Sequence, residues 1–339
     1  MEKIITKDNL SKLIEKLVTE HDVFAPVGDE SYSQFRLIKR LDEANLELIN
    51  TTKPLKELFL PQSEKLFSVS GSGENLAIEP KKPLERKRVI IGAKSCDVKG
   101  VELLTKVYEG GTEPDELFSE RRKNTLVIGS SCITPGDTCF CKELGINPFE
   151  EEGMDLVLIK INGKYFLKSK TKQGGEFLEK FKEYFGGTSP EEIEKKKKLE
   201  EKINAGKNNI IDINTIKSFL DKSENDPVWD ELSDICVGCG ICTYLCPVCQ
   251  CFDIHDERKN ENFCARFRTW DTCQFPDFTQ MAGGHNPRGK KKQRIRQRIL
   301  HKFKYYLENF ATAGCTGCGR CIQLCPVNID ILELLKKFK

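Results

Sequence analysis

Residues 236–251 read CVGCGICTYLCPVCQC, six cysteines in sixteen residues. Residues 314–327 read GCTGCGRCIQLCPV. Aligned with ICVGCGICTYLCPV at 235–248, the second stretch repeats all four leading cysteines, the glycines on either side of the second one, and the ending Leu-Cys-Pro-Val. Agreement over so many positions at one spacing marks an internal repeat of a whole unit.

The spacing C-x2-C-x2-C-x3-C-P lets a tightly turning loop aim three sulfurs at one point, while the cysteine before proline points elsewhere. In two-cluster ferredoxins that fourth cysteine ligates the other cluster. Applied here, Cys236, Cys239 and Cys242 with Cys325 are expected to hold one [4Fe-4S] cluster, and Cys315, Cys318 and Cys321 with Cys246 a second. Gly238, Gly240, Gly317 and Gly319 allow close backbone approach, and amides there can donate to cluster sulfur. Paired zinc sites are the alternative, but zinc ribbons use two separated pairs of cysteines rather than a run of four with its proline. A cluster pair with every iron bound by cysteine leaves no open position for substrate, so an electron relay with no catalytic residue of its own is expected.

The rest of the chain is too long for a ferredoxin alone: 339 residues suit two domains. Charge nearly cancels, 54 basic residues against 52 acidic, so nothing global steers the protein to nucleic acid or an anionic membrane. The opening residues MEKIITKDNLSKLIEKLVTE read as an amphipathic helix without the apolar core of a signal peptide, and no run reaches the length of a membrane span. A cytoplasmic location follows as the expectation, in which sixteen cysteines serve as metal ligands or reduced thiols rather than disulfides.

Residues 1–205 are expected to form an α+β (or α/β) domain. KRVIIGA and NTLVIGSS are short apolar strands around the helical DVKGVELLTKVY, and MDLVLIKINGKYFLKS is a hairpin turning at Asn162-Gly163. The highly charged run 191–207 is a solvated helix or linker ending near Gly206. Residues 206–339 are expected to form a mainly helical dicluster [4Fe-4S] ferredoxin-type domain with a long insertion between the two motifs. Within that insertion Ile295, Ile299, Phe303, Tyr306, Leu307 and Phe310 recur at helical spacing. The Lys and Arg of that helix are expected on its opposite face, as a solvated surface or an electrostatic dock for an acidic partner rather than a nucleic-acid site.

Four further cysteines lie in the first half. Cys96 follows one strand and opens a helix, Cys132 ends the next strand, and Cys139 and Cys141 sit on the turn PGDTCFC. Parallel neighbouring strands would bring Cys96 and Cys132 out at one edge, and a third [4Fe-4S] cluster is the functional reading; buried thiols or a zinc site are the alternatives. Cys249, Cys251 and Cys273 are expected to be buried thiols around the clusters, with additional ligands or part of a further site as the other readings. Cys264 receives no role, and His255 and His285 are read as structural. No dinucleotide fingerprint appears in a strand–turn–helix context, since SGSGENL lacks the third glycine, so NAD(P)H and flavin are expected on another chain.

The sequence resembles a family at this point: the beta subunit of cytoplasmic sulfhydrogenase, or hydrogenase/sulfur reductase, and the related iron-sulfur subunit of anaerobic sulfite reductase. The likeness rests on WDELSDICVGCGICTYLCPVCQC, RTWDTCQF, MAGGHNPR and CTGCGRCIQLCPVNI in the second half, and on KSCD, VIGSSC and CFC in the first. TKPLKELFLPQSEKLF, at 52–67, resembles the sulfhydrogenase branch in particular. The resemblance implies an iron-sulfur electron-transfer subunit in a hetero-oligomer, beside a flavin subunit that exchanges hydride with NAD(P)H and a hydrogenase or sirohaem sulfite reductase subunit that performs the terminal chemistry. It also implies that the eight ferredoxin-type cysteines are ligands, and that Cys96, Cys132, Cys139 and Cys141 recur in the family pattern. A nucleic-acid-binding protein with structural clusters, using the basic stretch 290–298, is the remote alternative.

Overall fold

A computed structural model describes residues 1–73, 75–150, 152–205 and 211–338. Among these the strands are, in chain order, β1 (Glu2–Thr6), β2 (Asp22–Gly28), β3 (Ser33–Leu37), β4 (Ser63–Ser72), β5 (Asn75–Pro80), β6 (Arg88–Ala93), β7 (Thr125–Ser130), β8 (Leu156–Ile161), β9 (Lys164–Ser169), β10 (Phe252–Asn260) and β11 (Phe263–Trp270). The chain divides into two compact units, neither contiguous in sequence. The first comprises Met1–Lys56, Leu84–Ile211 and Thr316–Gly319; the second comprises Glu57–Pro83, Asp212–Cys315 and Arg320–Lys339.

The first unit is built on a mixed sheet in the order β1-β9-β8-β7-β6-β2-β3. Strands β2, β6, β7 and β8 run parallel, and β9, β1 and β3 complete the sheet antiparallel. The apolar runs VIIGA and LVIG are buried along almost their whole length, as central parallel strands covered on both faces must be. β8 and β9 form the expected hairpin, with Asn162 and Gly163 at φ 49° and 77° supplying its two-residue turn. The N-terminal segment differs from its helical expectation. Residues 2–6 pair with β9 as β1, and the helix begins at Lys7 (Lys7–Glu20), capped by the Thr6 hydroxyl, which accepts from the Asn9 amide at 3.2 Å. The consecutive β-branched Ile4 and Ile5 favour extended backbone, and both are buried in it. Leu10, Leu13, Ile14 and Leu17 place the helix on the core.

The charged segment is the helix Pro190–Asn204, opened by a capping box between Ser189 and Glu192 and tied to β1 by Lys196 and Glu2 at 2.7 Å. Gly206, where the sequence places its end, lies outside the described residues, as do 207–210.

The second unit combines an antiparallel sheet, β10-β11-β4-β5, with the helices that carry the cysteine repeat. The expectation of a mainly helical C-terminal half therefore holds only in part, because β10 and β11 lie between the two motifs. Charge hid these strands. Arg268 of β11 is buried, and its guanidinium bonds the equally buried Glu64 carboxylate of β4, which also pairs with Lys81 at 3.2 Å. A buried charge is tolerated when it is paired and hydrogen-bonded, so the alternation that announces a strand is filled here by polar residues. No described helix is long and apolar enough to cross a membrane.

Candidate metal centres

All sixteen cysteines are described, and none is in a disulfide. In the second unit a cavity of about 60 Å³ is lined by Cys236, Cys239, Cys242, Cys321 and Cys325. The helix Val228–Ile235 ends at Cys236, whose amide still donates to the Leu232 carbonyl, and the loop then turns through Gly238 and Gly240 at φ 70° and 76°. That turn points backbone at sulfur: the Gly238 amide donates to Cys236 Sγ at 3.3 Å, and the Ile329 amide to Cys325 Sγ at 3.2 Å. Such N–H···S bonds stabilise thiolate ligands.

The basic helix is the main departure from the sequence reading. It runs as Lys291–Leu300, a π-helical turn His301–Tyr305, and Tyr306–Phe310. Ile295, Ile299, Phe303 and Tyr306 are buried as expected, but Arg294 and Lys302 are buried with them. Arg294 holds structure together, donating to the carbonyls of Gln274 and Gly289 at 3.0 and 2.6 Å. Arg298 lines the cavity and donates to the Cys242 carbonyl at 3.3 Å, while its buried Nε meets no acceptor among the described residues. Lys302 donates to Cys246 Sγ at 3.1 Å and to the Gly314 carbonyl at 2.8 Å. Burial alone would drive both groups toward neutrality. It is outweighed by Cys242, Cys321 and Cys246 around Arg298, and by Cys246 and Cys315 around Lys302, so both are held more firmly charged. The bare thiols are costly in the opposite sense: burial pushes Cys242 up to about 12. Thiols that resist ionisation unless a metal replaces their protons, beside an unsatisfied guanidinium N–H and a buried ammonium, form a donor set suited to sulfide-rich iron clusters, whose negative charge those cations offset. The residues fit the group.

Cys249, Cys251 and Cys273 lie with Cys242 and Cys246 around a second cavity of about 20 Å³, together with His301 and Lys302. Cys251 is hydrogen-bonded to both Cys249 and Cys273 and holds its proton strongly; the bond it gives lowers Cys273 below the usual thiol range. His301, passed over in the sequence, is the histidine at this cavity. His255 instead stacks on Phe267 within the hairpin, and His285 is exposed. Cys264 sits on β11 opposite Val69.

In the first unit a cavity of about 10 Å³ gathers Cys96, Cys132, Cys139 and Cys141, with Cys318 from the segment Thr316–Gly319. β6 and β7 are parallel neighbours, and Cys96 and Cys132 emerge together as their spacing requires. Cys96 lies in the first turn of the helix Ser95–Tyr108, and the Cys132 amide is held by the Pro148 carbonyl at 2.8 Å. Segment 316–319 docks through Phe140, whose amide donates to the Gly317 carbonyl at 2.8 Å. Asn50 ties the group together: its Oδ1 accepts from Cys96 Sγ at 3.3 Å, and its Nδ2 lies 3.8 Å from Cys139 Sγ and 2.8 Å from the Cys318 carbonyl. Lys94 lines the same cavity, pulled toward neutrality by burial and held back by Cys132 and Cys96. Burial and then Cys139 push Cys141 up to about 12, so metal rather than free thiolate suits this pocket as well.

Lys94 opens the KSCD stretch, where only Cys96 reads as a candidate ligand, and Asn50 carries no sequence motif. Arg298 and Lys302 left a faint one, since they fall four residues apart beside the apolar positions 295, 299 and 303 rather than opposite them.

Residues 235–329 match the family described as the 4Fe-4S dicluster domain. Over 317 residues the chain is 31% identical to the sulfhydrogenase 2 subunit beta of Pyrococcus furiosus, an alignment that covers 94% of this chain and 92% of that protein.

Proposed function

The chain belongs to the sulfhydrogenase beta-subunit family, and on that premise we propose that it relays electrons between an NAD(P)H-linked flavoprotein subunit and the terminal catalytic subunit of a cytoplasmic [NiFe] sulfhydrogenase. At the coarser level it is an iron-sulfur electron-transfer subunit. The observation that carries the reading is the duplicated cysteine motif, with cysteines of both copies lining a cavity beside Arg298. The proposed ligands are Cys236, Cys239, Cys242 and Cys325 for one cluster, Cys315, Cys318, Cys321 and Cys246 for a second, and Cys96, Cys132, Cys139 and Cys141 for a third.

When bound, such clusters each take up and pass on one electron. What the chain supplies is the setting for that charge. The Gly238 and Ile329 amides donate to ligand sulfur, and Arg298 and Lys302 place positive charge beside the thiolates. Each favours the more negative, reduced form. Substrate chemistry, flavin and nicotinamide are assigned to partner chains.

The test is metal analysis of the complex isolated anaerobically through this subunit. Stoichiometric nickel places the chain in a hydrogenase, and about twelve irons on this chain account for three clusters. Nickel absent with sirohaem present moves it to the second reading, the corresponding iron-sulfur subunit of an anaerobic sulfite reductase, which the extra cysteines after the first motif also suit. In either complex Cys239→Ser should leave subunit assembly intact and stop electron flow from NAD(P)H. Unchanged turnover overturns the relay.

A further inference from the structure

We propose that Cys249, Cys251 and Cys273 bind a soft metal centre of their own, in addition to the three proposed clusters, with the His301 imidazole as the neighbouring fourth donor.

Buried cysteines that only pack present their sulfur to apolar side chains. These three present it to one another, since Cys251 is hydrogen-bonded to both of the others. They share one cavity with an imidazole and two cations, His301, Arg298 and Lys302. The backbone brings them together from distant sequence. Cys251 immediately precedes β10 and Cys273 follows β11, and the register Phe252↔Trp270, continued by the Asp271 amide on the Cys251 carbonyl at 3.1 Å, closes the base of the hairpin where both sulfurs sit. Cys249 is positioned from the other side by the turn that follows the ferredoxin motif, its amide on the Cys246 carbonyl at 3.3 Å. Cys273 is fixed further by Gln274, whose Nε2 contacts its sulfur at 3.4 Å and bonds the Arg294 carbonyl at 3.0 Å.

Three thiolates and an imidazole select a soft or borderline metal, either zinc or the iron of a small cluster. Among the described residues no three such side chains already surround one point. Loading therefore replaces the thiol–thiol hydrogen bonds by metal–sulfur bonds and releases one proton from each thiol that enters as thiolate, with no change of oxidation state. The centre lies outside the relay reading, and its presence does not depend on which terminal acceptor the complex uses.

Native mass spectrometry of the anaerobically prepared full chain, with parallel iron and zinc analysis, tests the proposal. Wild type should carry one increment of mass beyond three [4Fe-4S] clusters, either a single zinc or a set of irons. Cys251→Ser/Cys273→Ser should lose that increment alone, while Cys264→Ser keeps it. Identical bound metal in wild type and the double variant overturns the proposal and leaves three packing thiols. Where the double variant does not fold, the wild-type increment decides by itself, because a chain carrying three clusters and nothing more refutes the site. A failure of the relay reading would show differently, as fewer than three clusters with the Cys251-dependent increment unaffected.

Discussion

Lys302 Nζ lies 3.1 Å from Cys246 Sγ, with the lysine side chain buried in the second unit and its other bond made to the Gly314 carbonyl. In the proposed relay, where Cys246 is a cluster ligand, an ammonium this close to its sulfur acts on the cluster's electron affinity as well as on folding.

Replacing that charge should shift a potential. One unit charge roughly 6 Å from the added electron, at an effective dielectric of about 20, is worth about 3 kcal/mol, or on the order of 100 mV for one electron. Lys302→Met should therefore make the cluster bound by Cys246 harder to reduce by that order, read as a more negative midpoint in an EPR-monitored titration. Lys304→Met, on the same helix but paired with Asp221 at 2.7 Å, should move no midpoint comparably.

Asn50 bridges three cysteine-bearing segments of the first unit. Removing a polar partner that orients metal ligands costs about 10–100-fold in metal affinity. Asn50→Ala should accordingly lose iron from the N-terminal site under mild chelation, while the cluster assigned to Cys236, Cys239, Cys242 and Cys325, which Asn50 does not touch, keeps its iron. Time-resolved iron release should show one fast fraction absent from wild type.

Two glycines of the repeat separate backbone strain from crowding. Gly238 has φ 70° and open space where a Cβ would stand, so Gly238→Ala should cost only the left-handed penalty, about 1–2 kcal/mol. At Gly317, φ 60°, a Cβ would fall 2.5 Å from the Cys141 amide nitrogen and 2.6 Å from the Phe140 carbonyl oxygen. Gly317→Ala should therefore cost more than Gly238→Ala in denaturant unfolding and should also release iron from the first unit.

Glu64 and Arg268 form a buried ion pair in the second unit's sheet. Glu64→Gln leaves the guanidinium without its full counter-charge and should destabilise the chain by about 3–5 kcal/mol. Replacing both, as Glu64→Leu with Arg268→Met, should recover most of that loss in thermal unfolding, because no unpaired charge then stays buried.

The sequence by itself determined the cluster chemistry and the strand–helix alternation of the first unit. Both are written in local spacing: four cysteines at fixed intervals with their glycines and proline, apolar runs of strand length, and Asn162-Gly163 between two strands. Short-range geometry fixes such features whatever surrounds them. The environment of the sulfurs was decided elsewhere. That Arg298 and Lys302 turn inward, that Asn50 joins Cys96 to Cys139, and that β11 pairs with β4 all depend on partners dozens to hundreds of residues away. The gathering of Cys249, Cys251 and Cys273 with His301 belongs to the same class, since it needs the hairpin base and the π-helical turn to meet. A charged residue reads as surface in a sequence because solvation is its default. Only tertiary structure supplies the counter-charge that makes its burial tolerable, and here that counter-charge is the set of thiolates the sequence had already placed.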